Sequence, residues 1–144
     1  MMLQLKEILQ RSIADLSLTR QVPSCPPTAN AEAATKLLQA SGGTCILVGD
    51  GKKVVGIFTE RDVLKKVTLS GQDPKTTAIT TLMTPNPVTV NRQATVGEVL
   101  TKMRDGKFRH LVVADAYGNA EGVLAMRDLT DYLANLVISD LKKP

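Results

Sequence analysis

At 144 residues, 43% hydrophobic and 22% charged, the chain has the size and balance of an ordinary globular protein of one domain or two very small ones, with no apolar run long enough to span a membrane. Two cysteines outside any CxxC pair and a single histidine exclude a zinc site, and the N-terminus lacks a signal peptide's layout, so the cytoplasm is the expected compartment. A net charge of +4 and a pI near 9.2 suit a small anionic ligand, but the basic residues are scattered and aromatics make up only 3%, which disfavours nucleic acid.

In chain order, Leu3 to Leu16 reads as an amphipathic helix, since Leu5, Ile8, Leu9, Ile13 and Leu16 recur at helical spacing. Val22 to Pro27 is extended and broken by prolines. A second helix is expected from Thr28 to Ala40, with Ala34, Leu37 and Leu38 inward and Ser41-Gly42-Gly43 as its stop. Strands follow at Cys45–Val48 and Val54–Phe58, joined by Gly49-Asp50-Gly51, whose glycines supply the positive φ of a hairpin turn. That Gly-x-Gly is a turn and not a dinucleotide loop, because no helix opens after it. Thr59 to Val67 is a third helix, burying Val63, Leu64 and Val67, and Ser70 to Thr77 is a loop.

The second half runs in the same order. Pro87 to Val90 is extended, and Thr95 to Asp105 is a helix striped by Val96, Val99, Leu100 and Met103. Strands at Leu111–Ala114 and Glu121–Leu124 flank a turn at Tyr117-Gly118-Asn119. A last helix follows Met126, with Leu129, Leu133, Leu136 and Val137 on one face. The expected organisation is an N-terminal helix over 1–16, a first repeat over 17–69, a linker over 70–81, a second repeat over 82–138 and a tail over 139–144.

The repeat is explicit. Gly56-Ile57-Phe58-Thr59-Glu60-Arg61-Asp62-Val63 returns as Gly122-Val123-Leu124-Ala125-Met126-Arg127-Asp128-Leu129, an offset of 122 − 56 = 66 residues. Carried back without a gap, the offset sets Ile46-Leu47-Val48 opposite Val112-Val113-Ala114 and Ser41–Thr44 opposite Lys107–His110. Two copies are too few for a solenoid. They are expected to pack against each other as pseudo-symmetric β-α-β-β-α repeats, an α+β fold with clefts between similar halves.

Chemistry concentrates at the strand-to-helix junctions. Thr59-Glu60-Arg61-Asp62 is a capping box, which explains both Thr59 and Asp62 without a ligand. The same junction offers free N–H groups, a hydroxyl and a carboxylate, a set suited to a ligand with phosphate and diol groups. In the second copy Ala125 replaces the threonine, at a cost of about 0.5–2 kcal/mol in capping, yet Asp128 remains. An aspartate without its capping partner favours a ligand role. Ahead of the second hairpin stands Lys107-Phe108-Arg109-His110, in which Arg109 offers a bidentate fork and Lys107 a point charge for phosphate. His110 could donate to phosphate or cap a strand end. No paired carboxylates, nucleophile elbow or histidine partner suggests an enzyme, so no catalytic or metal-binding residue is assigned.

These residues resemble the cystathionine β-synthase (CBS) domain, and the chain resembles one CBS pair, or Bateman module. The resemblance rests on Leu82-Met83-Thr84-Pro85-Asn86-Pro87-Val88-Thr89-Val90, on Phe108-Arg109-His110-Leu111-Val112-Val113, and on both Gly-hydrophobic-x-x-x-Arg-Asp junctions; it covers about Ser17 to Leu136. It implies a stand-alone sensor that requires no cofactor and binds an adenosine-containing ligand such as AMP, ADP or ATP, with NAD(H) or S-adenosylmethionine as alternatives. By resemblance Thr59 and Asp62 hold ribose and phosphate, Arg109 and His110 face the phosphates, and adenine lies near Val88; Arg61 and Lys107, the cations beside them, complete the expected nucleotide site. Val22 and Asp128 would form a second, weaker cleft. The resemblance also implies a homodimer formed through the CBS helices and a regulated protein partner not identified by the sequence. The competing expectation is a CBS scaffold with no small-molecule ligand.

Overall fold

The structure, a computed structural model, describes Leu5–Lys143; the expected helix start at Leu3 lies outside the described residues. The chain divides into two compact units. One comprises Gln21–Val88 with Tyr117–Ala120; the other takes the residues through Arg20, then Thr89–Ala116 and the chain from Glu121 onward.

In the first unit a four-stranded sheet has the order β1 (Ser24–Cys25), β2 (Cys45–Gly49), β3 (Val54–Thr59), β4 (Thr84–Pro85). β1 runs parallel to β2, and the other pairs are antiparallel. The hairpin turn is as expected: Gly51 has φ 95°, and Asp50 Oδ1 accepts from the Lys52 and Lys53 N–H groups. Helix α2 (Ala31–Ser41) starts three residues later than the composition suggests, 31 − 28 = 3. Asn30 is the reason, since its side chain accepts from Ala33 N–H at 2.8 Å and so caps the helix itself. Gly42, at φ 66°, ends it. Ile46, Val48 and Phe58 from the sheet pack on Ala31, Ala34 and Leu38 of α2 and on Ile79 and Leu82 of the short helix α4 (Ile79–Leu82).

The third helix departs from expectation. Only Glu60–Asp62 (α3) is α-helical, and Val63–Thr68 continues as a π-helical turn closed by Leu69 N–H on Leu64 O at 3.1 Å. The wider turn rotates the buried stripe: Val63 and Val67 pack against the core, whereas Leu64, expected inside, is exposed.

The second unit has a three-stranded sheet, β5 (Thr89–Val90), β6 (His110–Ala114), β7 (Ala120–Ala125), with β5 parallel to β6. Helix α5 (Val96–Gly106) begins at a reciprocal box in which Glu98 N–H donates to Thr95 Oγ1 and Thr95 N–H to the Glu98 carboxylate. Its stripe of Val96, Val99 and Met103 meets Leu111, Val113, Leu124 and, from α6 (Met126–Leu141), Leu129. Among the described residues α1 spans Leu5–Leu9, ending well short of the Leu16 that the periodicity suggests. Beyond it, Ile13 N–H donates to Ala94 O at 2.9 Å and Ala14 N–H to Arg92 O at 3.1 Å. Those donors are thereby lost to a helix, while Ile13 is still fully buried.

The repeat itself is not gapless. α2 and α5 begin at 31 and 96, and β2 and β6 at 45 and 110, offsets of 65; the pair Ser24↔Leu47 likewise recurs as Thr89↔Val112. After the hairpin turn the offset is 66, since β3 ends at Thr59 and β7 at Ala125. The extra residue lies in the second turn, 115–119 against 50–53. Lys107, Arg109 and His110 therefore correspond to Gly42, Thr44 and Cys45, one position away from the gapless pairing. Backbone conformation agrees, because Gly42 and Lys107 are both left-handed helix caps, at φ 66° and 57°.

Candidate functional site

At the first junction, β3 delivers Thr59 in an extended conformation and α3 turns Asp62 back towards it. Asp62 is 9% exposed. Its Oδ2 accepts from Thr59 N–H at 2.9 Å and from the Thr59 hydroxyl at 3.1 Å, while Thr59 Oγ1 accepts from Asp62 N–H at 3.2 Å. Oδ1 is paired with Lys66 Nζ at 3.1 Å, and the same ammonium donates to Leu82 O at 2.8 Å. The capping box is thus complete, and the carboxylate is satisfied within the chain. Arg61 is exposed beside it, and Val88 is exposed elsewhere on the same unit. A hollow of about 250 Å³ opens next to the junction, between the end of α2 and the start of α3, lined by Thr35, Gln39, Gly42, Gly43 and Glu60 among others.

The second junction is built differently. Asp128, 6% exposed, reaches back to Ala125 N–H at 3.0 Å. Half of the capping box therefore survives, although Ala125 has no side-chain acceptor to return the bond. This corrects the expectation that losing the threonine would free Asp128 from helix architecture. The other oxygen, Oδ1, is paired with Arg20 at 2.5 Å. Sequence reasoning missed Arg20, because nothing in the spacing from 20 to 128 links the two. Around this pair lies a second hollow of about 250 Å³, lined by Ser17, Leu18, Arg20, Asp128, Asp131, Tyr132 and Asn135. Tyr132 Oη accepts from Arg11 at 2.7 Å.

The basic stretch lies on the second unit. Lys107 caps α5, its N–H donating to Met103 O; Arg109 is exposed, with its carbonyl accepting from Met126 N–H at 2.8 Å; and His110 opens β6, part-buried. The structure therefore groups Thr59, Arg61 and Asp62 at one junction of the first unit, and Lys107, Arg109 and His110 on the approach to β6 in the second. Val22 belongs to the first unit and Asp128 to the second.

Both cysteines are buried, and burial pushes the Cys25 thiol above its ordinary range, which disfavours a thiolate there. Among the described residues no group of three or more His, Cys, Asp or Glu side chains could hold a metal ion, and no helix is long and apolar enough to cross a membrane.

A family model for the CBS domain matches the chain twice, over residues 13–69 and 79–135. A CBS domain-containing protein of Arabidopsis thaliana, CBSCBSPB3, is 29% identical over 132 residues, which is 92% of this chain and 23% of that protein. The chain thus spans less than a quarter of the length of that relative. Among solved structures, the CBS-domain-containing protein from Agrobacterium tumefaciens is 27% identical, with a TM-score of 0.73 over 85% of this chain and 98% of the other. A CBS domain protein from Pyrobaculum aerophilum, complexed with AMP, is 28% identical, with a TM-score of 0.74 over 89% and 99%.

Proposed function

The chain belongs to the CBS-domain family, of which it carries two copies, and on that premise we propose that it is a regulatory module binding an adenosine-containing nucleotide of the AMP, ADP or ATP type. The observation that carries the reading is the Thr59–Asp62 junction: a buried carboxylate and a hydroxyl held together on a preformed turn, with the second carboxylate oxygen paired with the part-exposed Lys66. A ribose diol can exchange for that ammonium without disturbing the cap, since the cap uses the other oxygen. Charge-assisted hydrogen bonds of this kind contribute about 1.5–3 kcal/mol. The AMP complex of the Pyrobaculum relative supports the same ligand class.

In the proposed assignment Thr59 and Asp62 take the ribose, with Arg61 beside them. Val88 lies near the adenine, and Lys107, Arg109 and His110 serve the phosphates. The bound state is passed on through a homodimer to a protein partner, and a ligand regulates only by binding one arrangement better than another.

A second reading, a scaffold without a ligand, draws on the closed circuits at both aspartates, which need nothing added to satisfy them. Thermal unfolding against AMP, ADP, ATP, NADH and S-adenosylmethionine separates the two. At 100-fold Kd the true ligand stabilises by about 2.7 kcal/mol, and Asp62→Ala removes that shift. No shift with any compound favours the scaffold; equal shifts in wild type and Asp62→Ala overturn the assignment of Asp62.

A further inference from the structure

Asp128 is buried, lies at the edge of an open hollow, and is neutralised by an arginine of its own chain. In the first unit the corresponding partner is Lys66, one turn along the same helix from Asp62. The equivalent position, 66 + 66 = 132, holds Tyr132, whose hydroxyl is occupied by Arg11. The task of neutralising the carboxylate has therefore passed from the helix to the extended segment that ends at Arg20. That segment is fixed at its backbone: Arg20 N–H donates to Val123 O, and Val123 N–H to Arg20 O, both at 2.8 Å. Ser17, at φ 51°, turns the chain so that Leu18 to Arg20 lie against this edge. The Arg20 side chain is itself 68% exposed, so the guanidinium can leave for solvent while its Cα stays in place.

The two cations differ as competitors of a ligand. An ammonium is a point charge that meets one oxygen from any direction. A guanidinium is a planar array of donors that presents paired N–H groups, as a cis-diol presents paired hydroxyls. We infer that Arg20 is an internal stand-in for the ligand at Asp128: it occupies the carboxylate face a diol would use, keeps the second junction closed, and so determines that the two junctions bind nucleotide unequally. The inference rests on the nucleotide-binding reading above and adds to it the residue that sets the asymmetry.

The test is equilibrium dialysis of labelled AMP against the full chain, together with urea unfolding in the absence of nucleotide. Wild type is expected to bind one AMP per chain, and Arg20→Ala and Arg20→Gln two, the added site disappearing when Asp128→Ala is combined with either. Without ligand, the unfolding midpoints of Arg20→Ala and Asp128→Asn are expected to be non-additive in the double variant. An unchanged stoichiometry in both Arg20 variants, two sites in wild type, or additive midpoints would each overturn the stand-in. Binding by no variant, with the midpoints still coupled, locates the failure in the nucleotide reading and leaves Arg20 as a structural ion pair, which also overturns its role as a competitor.

Discussion

Thr59 and Ala125 occupy the same place in the two copies, and the difference between them is one hydroxyl. In the first copy that hydroxyl accepts from Asp62 N–H and donates to the Asp62 carboxylate; in the second, the N–H of Asp128 has no such acceptor, though the reverse bond to Ala125 N–H is kept. Replacing a threonine cap with alanine costs about 0.5–2 kcal/mol. Thr59→Ala is therefore expected to lower the urea-unfolding free energy by that amount, and Ala125→Thr to raise it by up to about 1 kcal/mol. A neutral Ala125→Thr would mean that the first turn of α6 is already satisfied by water, and that the capping argument does not transfer between copies. The capping chemistry at Thr59 was legible in the sequence because it is local, spanning residues 59–62. The partners that complete each carboxylate were less so: Lys66 lies one turn away and could be inferred only from helical spacing, and Arg20 could not be inferred at all.

At the level of elements, Gly56 and Gly122 recur because another segment presses on β3 and on β7 at that point. A Cβ at Gly122 would lie 2.6 Å from Arg20 O and 2.5 Å from Thr19 Cγ2, a backbone carbonyl and a short branched side chain that cannot swing away. At Gly56 it would collide with Met83 Sδ and come within 2.8 Å of Cγ, the flexible end of a side chain. Overpacking of this kind costs about 1–3 kcal/mol, and the cost depends on whether the neighbour can move. Gly122→Ala is expected to destabilise more than Gly56→Ala in parallel urea titrations, and to weaken the Arg20–Asp128 pair by lifting the extended segment that carries Arg20. A larger loss for Gly56→Ala would show that Met83, not the Arg20 backbone, is the rigid neighbour. The hairpins themselves were readable, since alternating apolar runs and glycine turns are short-range signals. The length of α1 was not, because the spacing of Leu5, Ile8, Leu9, Ile13 and Leu16 is equally compatible with an irregular turn whose N–H groups are taken by Arg92 and Ala94 carbonyls. The shift of the repeat offset from 66 to 65 was hidden for a related reason: in a run such as Leu111-Val112-Val113-Ala114, a slip of one residue still matches apolar to apolar.

For the molecule as a whole, the repeated pattern was the most readable property, and what the repeats leave exposed bears on assembly. On α6 the expected stripe of Leu129, Leu133, Leu136 and Val137 is buried fully only at Leu129, and Val137, Ile138 and Leu141 are 59%, 49% and 80% exposed. Residues 137, 138 and 141 are spaced by one, three and four, so they form a continuous patch on the last turns of the helix. A small protein seldom leaves such a patch open to water without a use for it. In a two-fold dimer the same patch supplies both sides, so a charge placed in it is met by its own copy and repelled. Val137→Glu with Ile138→Glu is accordingly expected to convert a dimer to a monomer in sedimentation velocity, with the far-ultraviolet circular dichroism unchanged because neither side chain belongs to the core. If the bound nucleotide is signalled through the dimer, the monomeric variant keeps its AMP-induced thermal shift while losing any ligand-dependent change in sedimentation. A wild-type chain that sediments as a monomer at every concentration would remove the dimer from the proposal. A variant that stays dimeric would place the interface on another surface, with the exposed Leu64 and Leu69 of the first unit the next residues to charge.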